Sequence, residues 1–178
     1  MPGPKKLTTT RIGIILGSAS DIPVVQKGIS VLDELCIQYE IAIASAHRTP
    51  DDVSNYAKKA KKRGIEVIIA VAGLSAALPG VVAASTSLPV IGVPVKGGAL
   101  DGLDALLSIA QMPPGVPVAT VGLNSVKNSC LLALRIIAVH DKSLSRRLTT
   151  WNTKQSLKVI ASREKLSELP AAPDEAYK

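Results

Sequence analysis

The 178-residue sequence has no phenylalanine, one tryptophan and three tyrosines, together with two histidines and two cysteines. Each scarcity narrows what the chain can be. Without Phe, a 47% hydrophobic chain must fill its core with Ala, Val, Leu and Ile, side chains that suit strands sandwiched between helices. Trp151 and three Tyr are too few stacking platforms for a single-strand nucleic-acid binder, so no nucleic-acid partner is expected. Cys36 and Cys130 have apolar neighbours, no CxxC spacing and no surrounding His/Cys cluster. Both read as small buried hydrophobes in a reducing compartment, and no metal site is expected. The start, MPGPKKLTTT, lacks an apolar core of the signal-peptide kind. Gly, Pro or polar residues also break every apolar segment well short of membrane-span length, which predicts a soluble cytoplasmic protein with no membrane partner.

What the chain does have is positive charge, +7 with a pI near 9.5, which favours an anionic partner. Its placement matters more than its sum. Lys58, Lys59, Lys61, Lys62 and Arg63 close a helical stretch, where cations complement the dipole and solvate the outer face rather than form a nucleic-acid patch. An anionic small molecule remains the expected ligand.

The length fits one domain with tails. Arg11–Leu16, Ile41–Ala44, Val67–Ala72, Val90–Val93 and Val118–Val121 are short apolar runs, most ending at Gly, Pro or a polar loop. Helix-compatible stretches lie between them: 22–35, 50–63, 76–84, 103–110 and 126–139. The second starts with Thr49 as N-cap, Pro50 in the first helical position and Asp51 and Asp52 in the first turn, and stops at Gly64. Short buried strands alternating with helices predict a three-layer, doubly wound α/β fold of the flavodoxin-like kind. The expected layout is an N-terminal segment over 1–10, an α/β domain over 11–141, and a C-terminal helix and tail over 142–178. An amphipathic helix over 143–160, carrying Leu144, Leu148, Trp151, Leu157 and Ile160, follows a completed sheet and is expected to bury its stripe on another subunit.

In such folds ligands bind beyond the carboxyl ends of the strands. The loop Gly17-Ser18-Ala19-Ser20-Asp21 puts hydroxyls at a helix start, suited to phosphate, with Asp21 able to accept from a ribose diol. Plain N-capping by Ser20 or Asp21 is the competing reading. The loop Ser45-Ala46-His47-Arg48-Thr49 adds a guanidinium for bidentate phosphate binding and an imidazole for proton transfer. A third loop, Gly73-Leu74-Ser75-Ala76-Ala77-Leu78-Pro79-Gly80, is small and apolar, fit to wall a flat ring through Gly73, Ser75 and Leu78. His140 stands at a helix end beside Asp141, where the dipole accounts for it.

The segments GSASD (17–21), SAHRTPD (45–51), LPGVVAA (78–84), LPVIGVPV (88–95) and LLSIAQMPPGVPVATV (106–121) resemble the PurE family in order and spacing, over 11–141. The resemblance implies an enzyme of de novo purine biosynthesis that converts N5-carboxyaminoimidazole ribonucleotide to 4-carboxy-5-aminoimidazole ribonucleotide. The alternative is a carboxylase making the same product from aminoimidazole ribonucleotide and CO2. It also implies a homo-octamer working without metal or organic cofactor. By the same resemblance Ser18, Asp21, Ser45 and Arg48 hold the phosphate and ribose, and His47 lies by the imidazole ring and its carboxylate. Ala77 stands where mutase members carry a second His, while the GVPV and QMP stretches are mutase-like, so both subclasses remain open. A non-catalytic nucleotide-binding module is the third reading.

Overall fold

The computed structural model describes residues 10–177; the expected segment 1–10, apart from Thr10, lies outside them. Five strands, β1 (Ile12–Leu16), β2 (Tyr39–Ile43), β3 (Val67–Gly73), β4 (Val90–Val95) and β5 (Ala119–Thr120), form one parallel sheet in the order β2-β1-β3-β4-β5. This is the doubly wound flavodoxin-like order, with its topological switch between β1 and β3. The helices are α1 (Ile22–Glu34), α2 (Pro50–Ala60), α3 (Leu78–Ala84), α4 (Leu103–Ala110), α5 (Val126–Ala138) and α6 (Lys142–Ala161). No helix among the described residues is long and apolar enough to cross a membrane.

Side chains alternate faces along each strand, and the two faces build two cores. Ile12, Ile14, Leu16, Val67, Ile69, Val71, Ile91 and Val93 pack on α1 and α5. Ile15, Ile68, Ala70 and Val90 pack on α2, α3 and α4. A core without Phe closes by close approach instead of bulk. Tyr56 of α2 lies against Gly13, where a Cβ would stand 2.5 Å from its hydroxyl.

Several local expectations need correction. Strand β4 runs through Pro94 to Val95 rather than stopping at Val93. Proline is tolerated because its carbonyl, and hence its missing N–H, faces the β5 side, where the ladder has already ended at Thr120 and Asn124 N donates to Pro94 O at 2.8 Å. Edge strand β2 leaves Ile41 and Ile43 exposed rather than sandwiched. Cys130 is buried, but Cys36 is only half-buried and sits at φ +53 in the turn after α1. Gly64 does stop the second helix, in the left-handed region at φ +91 after a short 3-10 turn.

The C-terminal helix departs most. Leu144, Leu148 and Trp151 are buried in the chain's own core beside α5 and α1, with the Trp151 indole N–H donating to Glu34 Oε2 at 3.0 Å. The first half of α6 thus finds its apolar cover within the chain, because α1 and α5 leave a groove that the sheet does not fill. Only the second half presents uncovered apolar side chains, Leu157, Val159 and Ile160.

Its start is held from below the sheet. Asp141 caps α6 by accepting from Leu144 N at 2.9 Å, and Arg11, ahead of β1, bridges Asp141 Oδ2 at 2.5 Å and Glu66. His140 Nε2 lies 2.6 Å from Glu66 Oε2, so a hydrogen-bond partner accounts for this histidine. Burial alone would raise the Glu66 carboxyl, but hydrogen bonds and charge from Arg11 and His140 outweigh it and hold it below the usual range. Asp141 is held low by its capping hydrogen bonds and by Arg11. The cluster precedes β1 and β3 and so lies at the opposite sheet edge from the ligand loops.

Candidate functional site

Beyond the carboxyl ends of β1, β2, β3 and β4 the loops enclose a cleft of about 650 Å³. Ser18, Ser20, Asp21, Ser45, His47, Arg48, Gly73, Ser75 and Leu78 all line it. The strand order explains the convergence: β1 lies between β2 and β3, so loops distant in sequence meet across neighbouring strand ends.

The first loop is organised by its own hydrogen bonds. Ser18, not Ser20 or Asp21, caps the short 3-10 turn Ala19–Asp21: its Oγ accepts from Ser20 N at 3.3 Å and from Ser20 Oγ at 3.0 Å. Asp21 answers by accepting from Ser18 N at 3.1 Å, the reciprocal arrangement of a capping box. Asp21 is 6% exposed. Burial pushes its carboxyl above the ordinary range, against the lowering effect of hydrogen bonds from the Ser18 amide and Ser20. The bonds that cap the turn also fix Asp21 at the cleft wall.

In the second loop Ser45 is the hub. Its Oγ accepts from Arg48 N at 3.2 Å and Nε at 3.4 Å, so it aims the guanidinium. Thr49 occupies the N-cap of α2 but makes no side-chain capping bond; its Oγ1 accepts from Ser45 N at 3.0 Å instead. The hydroxyl expected to cap the helix closes the His47-bearing turn. His47 and Arg48 are both exposed and line the cleft.

The third loop turns sharply, with Leu74 at φ +54 and exposed. Gly73 ends β3 where a Cβ would meet Val95 O at 3.3 Å, so the wall between β3 and β4 is thin. Ala76 and Leu78 are buried beneath it.

Sequence reasoning missed the fourth wall, Val95, Lys96, Gly97 and Gly98. A lysine and two glycines directly after a buried apolar run are signal enough, but a proline at 94 reads as the end of that run. Gly98, at φ +67, packs where a Cβ would sit 2.5 Å from Leu74 Cδ2, which joins the third and fourth loops.

The arrangement offers hydroxyls and a guanidinium on the β1 and β2 side, a buried carboxyl beside them, an imidazole at the rim and a small apolar wall opposite. It suits a flat, anionic, ribose-bearing molecule. Comparison with known proteins agrees in kind. The family described as AIR carboxylase matches residues 11–158. A Pyrococcus horikoshii protein named N5-carboxyaminoimidazole ribonucleotide mutase is 51% identical over 158 residues, 89% of each chain. Saccharomyces cerevisiae phosphoribosylaminoimidazole carboxylase is 52% identical over 155 residues, which are 87% of this chain and 27% of the yeast protein. The crystal structure of Treponema denticola PurE superposes with a TM-score of 0.79 at 31% identity, over 89% of this chain and 99% of that one. With the loops, the strand order and these relatives in agreement, the chain belongs to the AIR carboxylase, or PurE, family.

Proposed function

We propose that the protein converts N5-carboxyaminoimidazole ribonucleotide to 4-carboxy-5-aminoimidazole ribonucleotide. The observation that carries this is the meeting of the Ser18–Asp21, Ser45–Arg48 and Gly73–Leu78 loops on one cleft at the β1/β3 switch, in a chain about half identical to a protein of that name. Ser18, Ser20, Ser45 and Arg48 hold the phosphate, Asp21 accepts from the ribose, and Gly73, Ser75 and Leu78 wall the ring. Breaking the N–carboxylate bond releases CO2 and leaves a nitrogen that takes a proton. Ring carbon C4 forms the new C–C bond to that CO2 and gives up its own proton. His47 carries the proton from carbon to nitrogen, so charge and atoms balance without a co-reactant. Fixing the ring and confining CO2 lowers the barrier by proximity, and the positioned imidazole adds ~10²–10⁴-fold.

Ala77, in place of the mutase members' second His, favours a second reading, direct carboxylation of aminoimidazole ribonucleotide, the activity in the yeast relative's name. Purified protein given each substrate decides. Turnover of the N5-carboxylated nucleotide, with no label entering from ¹³C-bicarbonate, supports the mutase; turnover of aminoimidazole ribonucleotide with bicarbonate alone supports the carboxylase. Tight binding with neither turnover leaves a non-catalytic module. We further infer a cytoplasmic homo-octamer, supported by the family resemblance, the unpaired Cys36 and Cys130, and apolar side chains left uncovered at Ile41, Ile43, Leu103, Leu107, Leu157 and Ile160. Sedimentation at micromolar concentration tests the assembly, and a monomer would overturn it.

A further inference from the structure

Four ionisable side chains line the cleft: Asp21, His47, Arg48 and Lys96. Three have roles in the reaction above; Lys96 has none. We propose that Lys96 binds the ring carboxylate of the C4-carboxylated nucleotide, at the end of the cleft away from the phosphate, and so sets the preference for carboxylated over uncarboxylated nucleotide. This rests on the nucleotide reading above.

Charge balance is the first ground. The C4-carboxylated nucleotide carries a phosphate of about −1.5 to −2 near neutral pH and a carboxylate besides. Arg48, with the serines of the first two loops, answers the phosphate. With His47 engaged in proton transfer, Lys96 is the remaining cation among the lining residues, and a carboxylate drawn into a partly desolvated cleft needs one.

Position is the second. The order β2-β1-β3-β4 puts Arg48 and Lys96 on loops three strand spacings apart, about 14 Å at ~4.8 Å per spacing. Ser18 lies between them, after β1. A phosphate held by the β1 and β2 loops therefore directs ribose and ring toward β3 and β4, and brings a ring carboxylate to the β4 loop.

The third ground is that Lys96 is fixed at its base and exchangeable at its tip. Its backbone N–H donates to Asn124 Oδ1 at 3.0 Å, and Asn124 is tied in turn to Pro94. The following turn, with Gly98, Asp101 and Gly102 at φ +67, +56 and +92, folds back so that Asp101 Oδ2 meets the ammonium at 2.9 Å. Both side chains of that pair are more than half exposed, 56% and 71%, so it is weakly held. Asp101 parks the ammonium beside the cleft, and an entering carboxylate can take it over.

The test compares two ligands that differ by the carboxylate alone: aminoimidazole ribonucleotide and 4-carboxy-5-aminoimidazole ribonucleotide, titrated calorimetrically into full-length wild type and Lys96→Met. Because Lys96 is exposed, the variant folds. The expected result is a loss of about ten- to a hundredfold in affinity for the carboxylated ligand, as for a deleted charge-assisted hydrogen bond, with affinity for the uncarboxylated one held within about twofold. Equal weakening of both would put Lys96 on the phosphate and overturn the proposal; no weakening of either would reduce it to a surface ion pair. Failure of the nucleotide reading itself shows separately, as wild type binding neither ligand.

Discussion

Replacing Gly28 by Ala sets two effects of opposite sign against each other, and the structure decides between them. Gly28 is buried in the middle of α1, where Ala on an open helix would be favoured over Gly by about 0.8–1 kcal/mol. A Cβ at this position, however, would lie 2.6 Å from both Lys127 N and Val126 Cβ of α5. Carbon contacts are comfortable at about 3.5–4.0 Å, so the helices would have to part by ~1 Å. The obstacles are a backbone atom and the branch point of a valine, neither of which can rotate away. Overpacking of this kind costs about 1–3 kcal/mol. We place Gly28→Ala in the upper part of that range and, after the propensity gain, expect a net loss of about 1–2 kcal/mol. For a chain of this length that lowers Tm by about 2–8 °C. Thermal unfolding by circular dichroism at fixed protein concentration measures it, with Ser30→Ala on the exposed side of the same helix as the propensity control. A Tm for Gly28→Ala equal to or above wild type would refute the close α1–α5 contact.

Three further outcomes follow from the site and its supports. Arg48→Ala is expected to weaken nucleotide binding by about 1.5–3 kcal/mol, read by titration with aminoimidazole ribonucleotide; unchanged affinity removes Arg48 from the phosphate site. His47→Asn should bind the same ligand normally and lose ~10²–10⁴-fold in kcat, and near-normal turnover would show that the proton travels another way. Glu66 and Asp141 titrate below their ordinary values in the fold. Their contribution is therefore present above about pH 4–4.5 and is lost as pH falls through the lowered values. Wild type should lose Tm steeply in that acid range, whereas Glu66→Gln should start lower at pH 7 and fall less steeply, and parallel curves would mean the Arg11 cluster contributes nothing to acid stability.

The alternation of strands and helices, the doubly wound class, the two loops that hold Ser18, Asp21, Ser45, His47 and Arg48, and the small apolar third loop are all legible in the amino-acid order. These are local matters: short continuous apolar runs make strands buried on both faces, and Gly, Ser or Pro after a run marks a ligand-side loop. Hydrogen bonds that bypass the nearest helix end were not legible. Thr49 reads as the cap of α2 yet closes the Ser45 turn, and Ser20 or Asp21 reads as the cap of the first loop where Ser18 supplies it; the choice depends on loop geometry rather than residue type. Pro94 hid Lys96, because whether a proline breaks a strand depends on whether a neighbour still needs its N–H, and β5 ends before it does. Where α6 packs depends on the assembled fold. An amphipathic stripe states that it must be covered, not by what. The groove left by α1 and α5 covers Leu144, Leu148 and Trp151 within the chain, and Leu157, Val159 and Ile160 stay exposed because α6 outruns the surface it packs on.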